Sequence, residues 1–93
     1  MIFSFKCQDT KELWDTGKNR RIPPDIQRVA LRKLTQLHTA KLLTDLRIPP
    51  NNRLESLNYD RLGQYSIRIN SQWRICFVWE DGQIHHVEII DYH

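Results

Sequence analysis

The sequence predicts a small α+β domain, in which two or three helices from the first half pack on an antiparallel β-sheet formed by the second half. Apolar residues recur at helical spacing between residues 9 and 46, and from Arg53 onward they alternate with polar residues as in half-buried strands. The length of 93 residues indicates a single domain, spanning 1–93, with a thin core. With a first strand at residues 1–6, the expected order of elements is β-α-α-β-β-β-β.

The first half carries one strand signal and two helix signals. Residues 1–6 alternate apolar and polar side chains, which indicates a short strand that can join the sheet. Asp9 and Glu12 have the spacing of a capping box, and Gly17 can end a helix in the left-handed conformation. We therefore expect the first helix over residues 9–16.

The longest helix is expected to begin at residues 23–25, Pro-Pro-Asp, because proline suits the first helical turn and an acid suits the N-terminal end of the helix dipole. Its apolar stripe consists of Ile26, Ala30, Leu34 and Leu37. Residues 42–46 predict one more turn before the proline-rich break at residues 49–52.

Three cations of this helix, Arg28, Arg32 and Lys33, lie off the apolar stripe. Such a group is typical of a solvated helix face. For the chain as a whole, the net charge is +3 and nine of the fourteen Lys and Arg residues are arginine, which favours a polyanionic partner, although many basic domains of this size bind nothing charged. The planar guanidinium of arginine suits phosphate.

The pairing of the two middle strands decides which side chains share a face of the sheet. A loop over residues 70–72 sets Ile67 opposite Ile75, whereas a two-residue loop would set Ile67 opposite Arg74. The three-residue loop keeps one face apolar, so it is the predicted register. It places Arg68 opposite Arg74 on the other face.

The sequence is compatible with two different turns between the last two strands. A three-residue loop over residues 80–82, with Gly82 at a left-handed bulge position, preserves the alternation. It sets Val87 opposite Ile75, Ile89 opposite Trp73 and Glu88 beside Arg74. A two-residue Asp-Gly turn is the simpler alternative.

Arg68 and Arg74 are mutually destabilising if they face each other, unless an anion lies near them. Glu88 could supply that anion in a structural ion pair with Arg74, and an anionic ligand is the alternative. The last residues, Asp91-Tyr92-His93, add an acid, a phenol and an imidazole directly after an apolar strand. Terminal residues are more often frayed than functional.

These residue types suffice for RNA cleavage without a metal. The 2′-hydroxyl must lose a proton, the phosphorane must be stabilised, and the 5′-oxygen must gain a proton. Imidazole titrates near neutral pH, and arginine neutralises phosphate. The competing interpretation of the same residues is an ordinary soluble domain.

Other candidate sites are weaker. His85 and His86 are neighbours on a strand and should point to opposite faces, so we expect no metal site there. Cys7 and Cys76 share no metal or redox spacing. Two thiols in a reducing cytosol are expected, and a single disulfide between them is the alternative. We expect no cofactor, and the short apolar runs predict neither a membrane span nor an export segment.

Three blocks of the sequence together resemble the HigB toxins, also called plasmid-maintenance killer proteins. They are residues 47–55 (RIPPNNRLE), 63–77 (GQYSIRINSQWRICF) and 87–93 (VEIIDYH). The resemblance covers nearly the whole chain in order and length. It implies a RelE-like fold and a cytoplasmic toxin that enters the ribosomal A site and cleaves the bound mRNA. It also implies a HigA-type helix-turn-helix antitoxin, through which the pair would bind operator DNA.

The resemblance further implies roles for single residues. Arg74 matches the phosphate-stabilising arginine of these toxins, and Asp91, Tyr92 and His93 match their catalytic terminus, with His93 the best candidate for proton transfer.

The resemblance also includes departures from the family pattern. Asn58-Tyr59 stands before Asp60-Arg61 where family members commonly have Lys-Gly. Asparagine cannot supply the lysine's charge, so Arg61 or Arg68 would have to do so, or cleavage would be slower. Glu55 stands where some members have a catalytic histidine, which leaves its role open.

Overall fold

The computed structural model describes residues 1–57 and 63–91 and confirms the α+β class. Two helices, α1 (Gln8–Thr16) and α2 (Pro24–Thr39), are followed by two short 3₁₀ turns, Leu43–Arg47 and Pro50–Asn52. The strands are β1 (Glu55–Ser56), β2 (Gln64–Arg68), β3 (Trp73–Glu80) and β4 (Gln83–Asp91). They form an antiparallel sheet in the order β1-β2-β3-β4. Neither helix of this part of the chain is long and apolar enough to cross a membrane.

The core lies between the helices and one face of the sheet. The predicted stripe of α2 is buried throughout, with each of its four residues no more than 3% exposed. Leu13 of α1 joins it from one side, and Ile67, Ile75 and Phe77 join it from the sheet. Each large apolar side chain buried in this way contributes about 1.5–3 kcal/mol relative to exposure. This packing fixes α2 over the middle strands.

The start of α1 differs from the predicted capping box. The helix begins at Gln8, and its N-cap residue, Cys7, makes no side-chain cap. Asp9 Oδ1 and Glu12 Oε1 instead accept hydrogen bonds from Asn19 Nδ2, at 3.1 and 3.2 Å. The two carboxylates therefore hold the loop after the helix. The C-terminal prediction is confirmed, since Gly17 has a φ of 85° and its N–H donates to Leu13 O.

Residues 1–6 do not form the regular strand that their alternation predicts. They lie beside β4 and pair with it through two isolated parallel bridges, Ile2 with Ile84 and Phe5 with Val87. The ladder is interrupted between the bridges, where His86 of β4 has a φ of 55°. The His86 N–H there donates to the side-chain Oγ of Ser4. Residues 1–6 therefore contact the sheet as expected, but through two separate bridges and not through a continuous strand.

The predicted register of β2 and β3 is confirmed. Tyr65 pairs with Phe77, Ile67 with Ile75, and Arg68 with Arg74. The Ile69 N–H donates to Trp73 O across the start of the three-residue loop. One face of this hairpin is therefore apolar, and the other carries the two arginines.

The predicted loop of the last hairpin is wrong, and the simpler two-residue turn forms instead. Glu80 pairs with Gln83, and the turn residues Asp81 and Gly82 both have positive φ, 50° and 80°. Turns of this kind match the right-handed twist of the strands that they join. Taken alone, this turn would move β4 by one residue and turn its apolar side chains to the polar face.

A bulge at His86 restores the alternation. Two residues of β4, His86 and Val87, lie opposite Phe77, because the pairing shifts between Cys76 and Val78. Beyond the bulge Ile89, not Val87, is opposite Ile75, and Asp91, not Ile89, is opposite Trp73. Glu88 pairs with Cys76 and does not sit beside Arg74 as predicted. Its side chain stays on the arginine face, where the Cys76–Glu88 pair is the next pair along from Arg74 and Ile90.

Candidate functional site

Arg74, in the middle of the sheet, is held by hydrogen bonds on two sides of its guanidinium. The residue is 7% exposed. Its Nε donates to Ser66 Oγ at 2.9 Å, and its Nη2 donates to Arg53 O at 2.7 Å and to Ser66 O at 3.4 Å. Ser66 is fully buried, so it is a rigid anchor. These contacts hold the planar guanidinium in one orientation.

Glu55 of β1 is a carboxylate near this guanidinium. Its Oε1 lies 3.8 Å from Arg74 Nη1, and its side chain is about half exposed. The pair is loose and open to water, so it stabilises the fold little. Glu55 thus balances part of the charge of Arg74 while remaining accessible to a ligand.

Arg68 brings a second guanidinium to the same face. It is the cross-strand partner of Arg74, and its Nε donates to Asn70 O in the loop between β2 and β3 at 2.9 Å. Like charges at directly opposite positions repel each other. Their juxtaposition favours an anion between or above them.

A cavity of about 250 Å³ opens at this point. Its lining in the described chain consists of Arg53, Glu55, Arg68, Asn70, Ser71 and Arg74. Three arginines therefore face one carboxylate, an arrangement suited to phosphate. Arg53 was missed in the sequence analysis, because its place depends on a left-handed backbone, with φ at 46°, after the Pro50–Asn52 turn.

A second cavity, of about 480 Å³, lies between α2 and the β2–β3 loop. It shares Arg68, Asn70 and Ser71 with the first, so the two are adjacent parts of one groove. Arg32 and Lys33 of α2 line its far side. The groove is thus basic along its length.

Of the three α2 cations, Arg28 and Arg32 are exposed, as expected for a solvated face. That expectation is wrong for Lys33, which is 5% exposed and donates through Nζ to Asn52 Oδ1. The Pro50–Asn52 turn packs over α2 at this point and covers it. Burial lowers the pKa of Lys33, and the charge of Arg32 lowers it further.

Among the described residues, Asp91 is a predicted catalytic residue that does not line the cavity at Arg74. It pairs with Trp73, and its Oδ2 accepts a hydrogen bond from Gln72 Nε2 at 3.0 Å. Since neighbouring cross-strand pairs point to opposite faces, Asp91 and Arg74 leave the sheet on different sides. Four other predicted site residues, Asn58, Arg61, Tyr92 and His93, lie outside the described residues.

The structure also describes the two cysteines and the His85-His86 pair, the weaker candidates of the sequence. Cys7 and Cys76 are not joined in a disulfide, as predicted. The ring centroids of His85 and His86 are 6.2 Å apart, and the His85 ring packs on Phe3 at 5.1 Å. Within residues 1–57 and 63–91, no three His, Cys, Asp or Glu side chains are placed to hold a metal ion.

The known proteins to which this chain is similar include bacterial toxins that share one family name. The family described as the RelE-like toxin of the type II toxin–antitoxin system HigB matches residues 3–93. Toxin HigB-1 of Vibrio cholerae serotype O1 is 41% identical over 83 residues, which cover 88% of this chain and 87% of the relative. Endoribonuclease HigB of Proteus vulgaris is 33% identical over 94 residues, which cover all of both chains.

Solved structures show the same fold at low sequence identity. YafQ from Escherichia coli strain BL21(DE3) superposes with a TM-score of 0.65 at 14% identity, over 98% of this chain and 91% of the other. The YoeB dimer from Staphylococcus aureus gives 0.58 at 19% identity, over 99% and 94%. The arginine-lined groove thus stands on a RelE-type fold, and the chain belongs to the HigB family of RelE-like toxins of type II toxin–antitoxin systems.

Proposed function

We propose that this toxin is a ribosome-dependent mRNA endonuclease, which cleaves translated messages in the A site by metal-free acid–base chemistry. The observation that carries the proposal is the cavity in which Arg53, Arg68 and Arg74 face one carboxylate. Such a cavity fits an RNA phosphate better than a neutral ligand. The name of the Proteus vulgaris relative, Endoribonuclease HigB, supports the same activity.

The proposed reaction uses the RNA itself as the nucleophile. A base removes the proton of the 2′-hydroxyl, the 2′-oxygen bonds to the adjacent phosphorus, and the bond from phosphorus to the 5′-oxygen breaks. An acid returns a proton to that 5′-oxygen, which leaves a 2′,3′-cyclic phosphate and a 5′-hydroxyl. The negative charge that develops on the phosphorane needs fixed donors. Arg74 is the proposed donor, because Ser66 and Arg53 hold its guanidinium in place.

The proton transfers are proposed for Tyr92 and His93. His93 is the proposed proton carrier, since imidazole titrates near neutral pH, and Tyr92 is proposed to assist it. Asp91 leaves the sheet on the side opposite Arg74 and accepts a hydrogen bond from Gln72, so its proposed role is to position the two residues that follow it. Glu55 is the second candidate for the base, because its carboxylate lines the cavity beside Arg74. Otherwise Glu55 serves in binding.

A further cation is needed because Asn58 replaces the lysine common in this family. Arg68 is the proposed replacement, since it faces Arg74 across the sheet and lines the same cavity. Arg61 and Asn58 are proposed to contact the RNA backbone nearby.

The toxin is proposed to be silenced by a HigA-type helix-turn-helix antitoxin. Membership of a type II toxin–antitoxin family implies an antitoxin, and the YoeB–YefM complex from Staphylococcus aureus contains a chain of the same fold, with a TM-score of 0.58 at 18% identity. Operator DNA would be bound indirectly, through the antitoxin complex. Because ribosomes are the proposed site of action, the toxin would act in the cytoplasm.

The second candidate function is a binding module of the same fold without catalysis, which acts through its antitoxin, operator DNA or occupancy of the ribosome. The asparagine at position 58 favours it. Expression of the toxin alone, with mapping of message 5′ ends, separates the two. Cuts within translated codons support the nuclease, whereas growth arrest without cuts supports the binding module.

A further inference from the structure

Lys33 is a buried ammonium without a carboxylate partner in the described part of the chain. It is 5% exposed, and its Nζ donates to Asn52 Oδ1. Among residues 1–57 and 63–91, no carboxylate oxygen lies within 4.0 Å of that nitrogen. A buried charge is costly unless it meets a counter-charge.

Asn52 holds this lysine in one position. The asparagine is fully buried, and its Nδ2 donates to Gln36 Oε1 and Leu46 O, each at 3.0 Å, and to Ile48 O at 3.3 Å. These contacts fix the amide so that its Oδ1 faces Lys33. An ordinary surface lysine is not held in this way, so the placement of Lys33 is built into the fold.

The surroundings of Lys33 are basic and open to a ligand. The cavity that it lines is also lined by Arg32 and Arg68, and its described lining includes no Asp or Glu. Arg68 lines this cavity and the one at Arg74. A strand bound at Arg74 that continued past Arg68 would enter the cavity that Lys33 lines.

We propose that Lys33, positioned by Asn52, forms with Arg32 and Arg68 a second phosphate subsite, which binds a backbone phosphate of the RNA next to the cleaved one. The inference rests on the proposed function and extends it to how the message is held. An acidic protein segment is the other anion of suitable charge. Continuity with the Arg74 cavity favours a strand with regularly spaced phosphates.

The first test replaces Lys33 with glutamine, which removes the charge and can still donate to Asn52. Single-turnover cleavage of ribosome-bound message is measured against toxin concentration at several salt concentrations. Lys33→Gln should raise the half-saturating concentration about tenfold, the scale of one charge-assisted hydrogen bond. The maximal rate should stay within a few-fold. The log–log salt slope should fall by about 0.7, the contribution of one phosphate on a single strand.

Two further variants keep this test interpretable. Arg28→Gln removes an exposed cation of α2 that does not line the groove, and it should leave both quantities unchanged. Lys33→Arg retains the charge and should retain the salt slope, which a purely structural role of Lys33 would not require. Thermal unfolding of each variant shows that the fold persists.

The second test does not depend on cleavage. Titrating the protein with inorganic phosphate should shift the side-chain NMR signals of Lys33, Arg32 and Arg68, and Lys33→Gln should weaken the response of both arginines. If the wild type does not cut message, the proposed function fails, and this titration still decides the subsite. Absence of a phosphate response at Lys33 overturns the inference. So does unchanged cleavage by Lys33→Gln, or weakened antitoxin binding alone, which would assign the anion to protein.

Discussion

Arg68 and Arg74 are directly opposite each other on β2 and β3, and both line one cavity. The fold places two like charges opposite each other, which is unfavourable, and Glu55 offsets part of the charge of Arg74. Each is tied by its own hydrogen bonds, Arg68 to Asn70 O and Arg74 to Ser66 and Arg53. A bound phosphate would reduce the repulsion, as the proposed function requires.

This relationship predicts opposite effects of Arg68→Gln on stability and on activity. Removing one of two facing cations should leave the free energy of unfolding unchanged or raise it by a few tenths of a kcal/mol, within the range of cross-strand pairs. Cleavage should fall about tenfold, because one charge-assisted contact to phosphate is lost. Thermal unfolding and single-turnover cleavage check both, with Arg28→Gln as the control. Full activity of Arg68→Gln would remove Arg68 from the site.

Cleavage is expected to survive a chelator, because arginine and imidazole can supply the charge and the protons that the reaction needs. The assay uses ribosomes bound to message, with free magnesium kept just sufficient for their integrity. Added zinc or manganese provides the contrast. A clear rise in rate with either ion would contradict the metal-free mechanism.

His93→Gln should lower the cleavage rate by roughly a hundredfold or more, the usual scale for general acid–base catalysis. An amide can form hydrogen bonds but cannot transfer a proton near neutral pH. Tyr92→Phe tests whether the phenol shares this role. Single-turnover cleavage is measured beside thermal unfolding, which should barely change. A rate within a few-fold of wild type for His93→Gln would shift the assignment to Glu55, which Glu55→Gln would then test.

The burial of Lys33 predicts a pH dependence of stability. Burial lowers its pKa in the folded state below the ordinary value of 10.5, so the unfolded chain binds more protons at this residue between those two pKa values. Stability from Lys33 should therefore rise with pH through that window. Denaturant unfolding is measured at a series of alkaline pH values. As pH approaches 10.5, the free energy of unfolding of the wild type should rise relative to that of Lys33→Gln. A constant difference between the two would contradict the burial of a charged lysine.

The parts of the site that alternation controls could be predicted from sequence. The Arg68–Arg74 pairing follows from the need to keep Ile67 and Ile75 on one apolar face, because a one-residue slip would expose that face. The β3–β4 register could not be predicted in the same way. The Asp81-Gly82 turn and the bulge at His86 each shift the pairing of β4 by one residue. Together they return the apolar side chains of β4 to the apolar face of the sheet. The sequence pattern of β4 is therefore the same whether both features are present or both are absent.

Other parts of the site depend on contacts between residues distant in sequence. Arg53 reaches the cavity through a left-handed backbone position that no pattern in the sequence indicates. Lys33 is buried because Asn52, nineteen residues later, packs against it. Asn19 similarly takes the carboxylates of Asp9 and Glu12 that local sequence assigns to a helix cap. In each case a tertiary contact overrides the local preference.

The most direct test of the proposed activity compares the wild type with Arg74→Ala on ribosomes that carry a defined message. The wild type should cut within the A-site codon and leave a 2′,3′-cyclic phosphate. Arg74→Ala should lower the rate by about a hundredfold or more, the scale of losing a transition-state donor. It should remain folded, with a loss of about 1–3 kcal/mol because the hydroxyl of Ser66 loses a buried partner. Wild-type cleavage by folded Arg74→Ala, or an intact message with blocked translation in the wild-type reaction, would contradict the proposed mechanism.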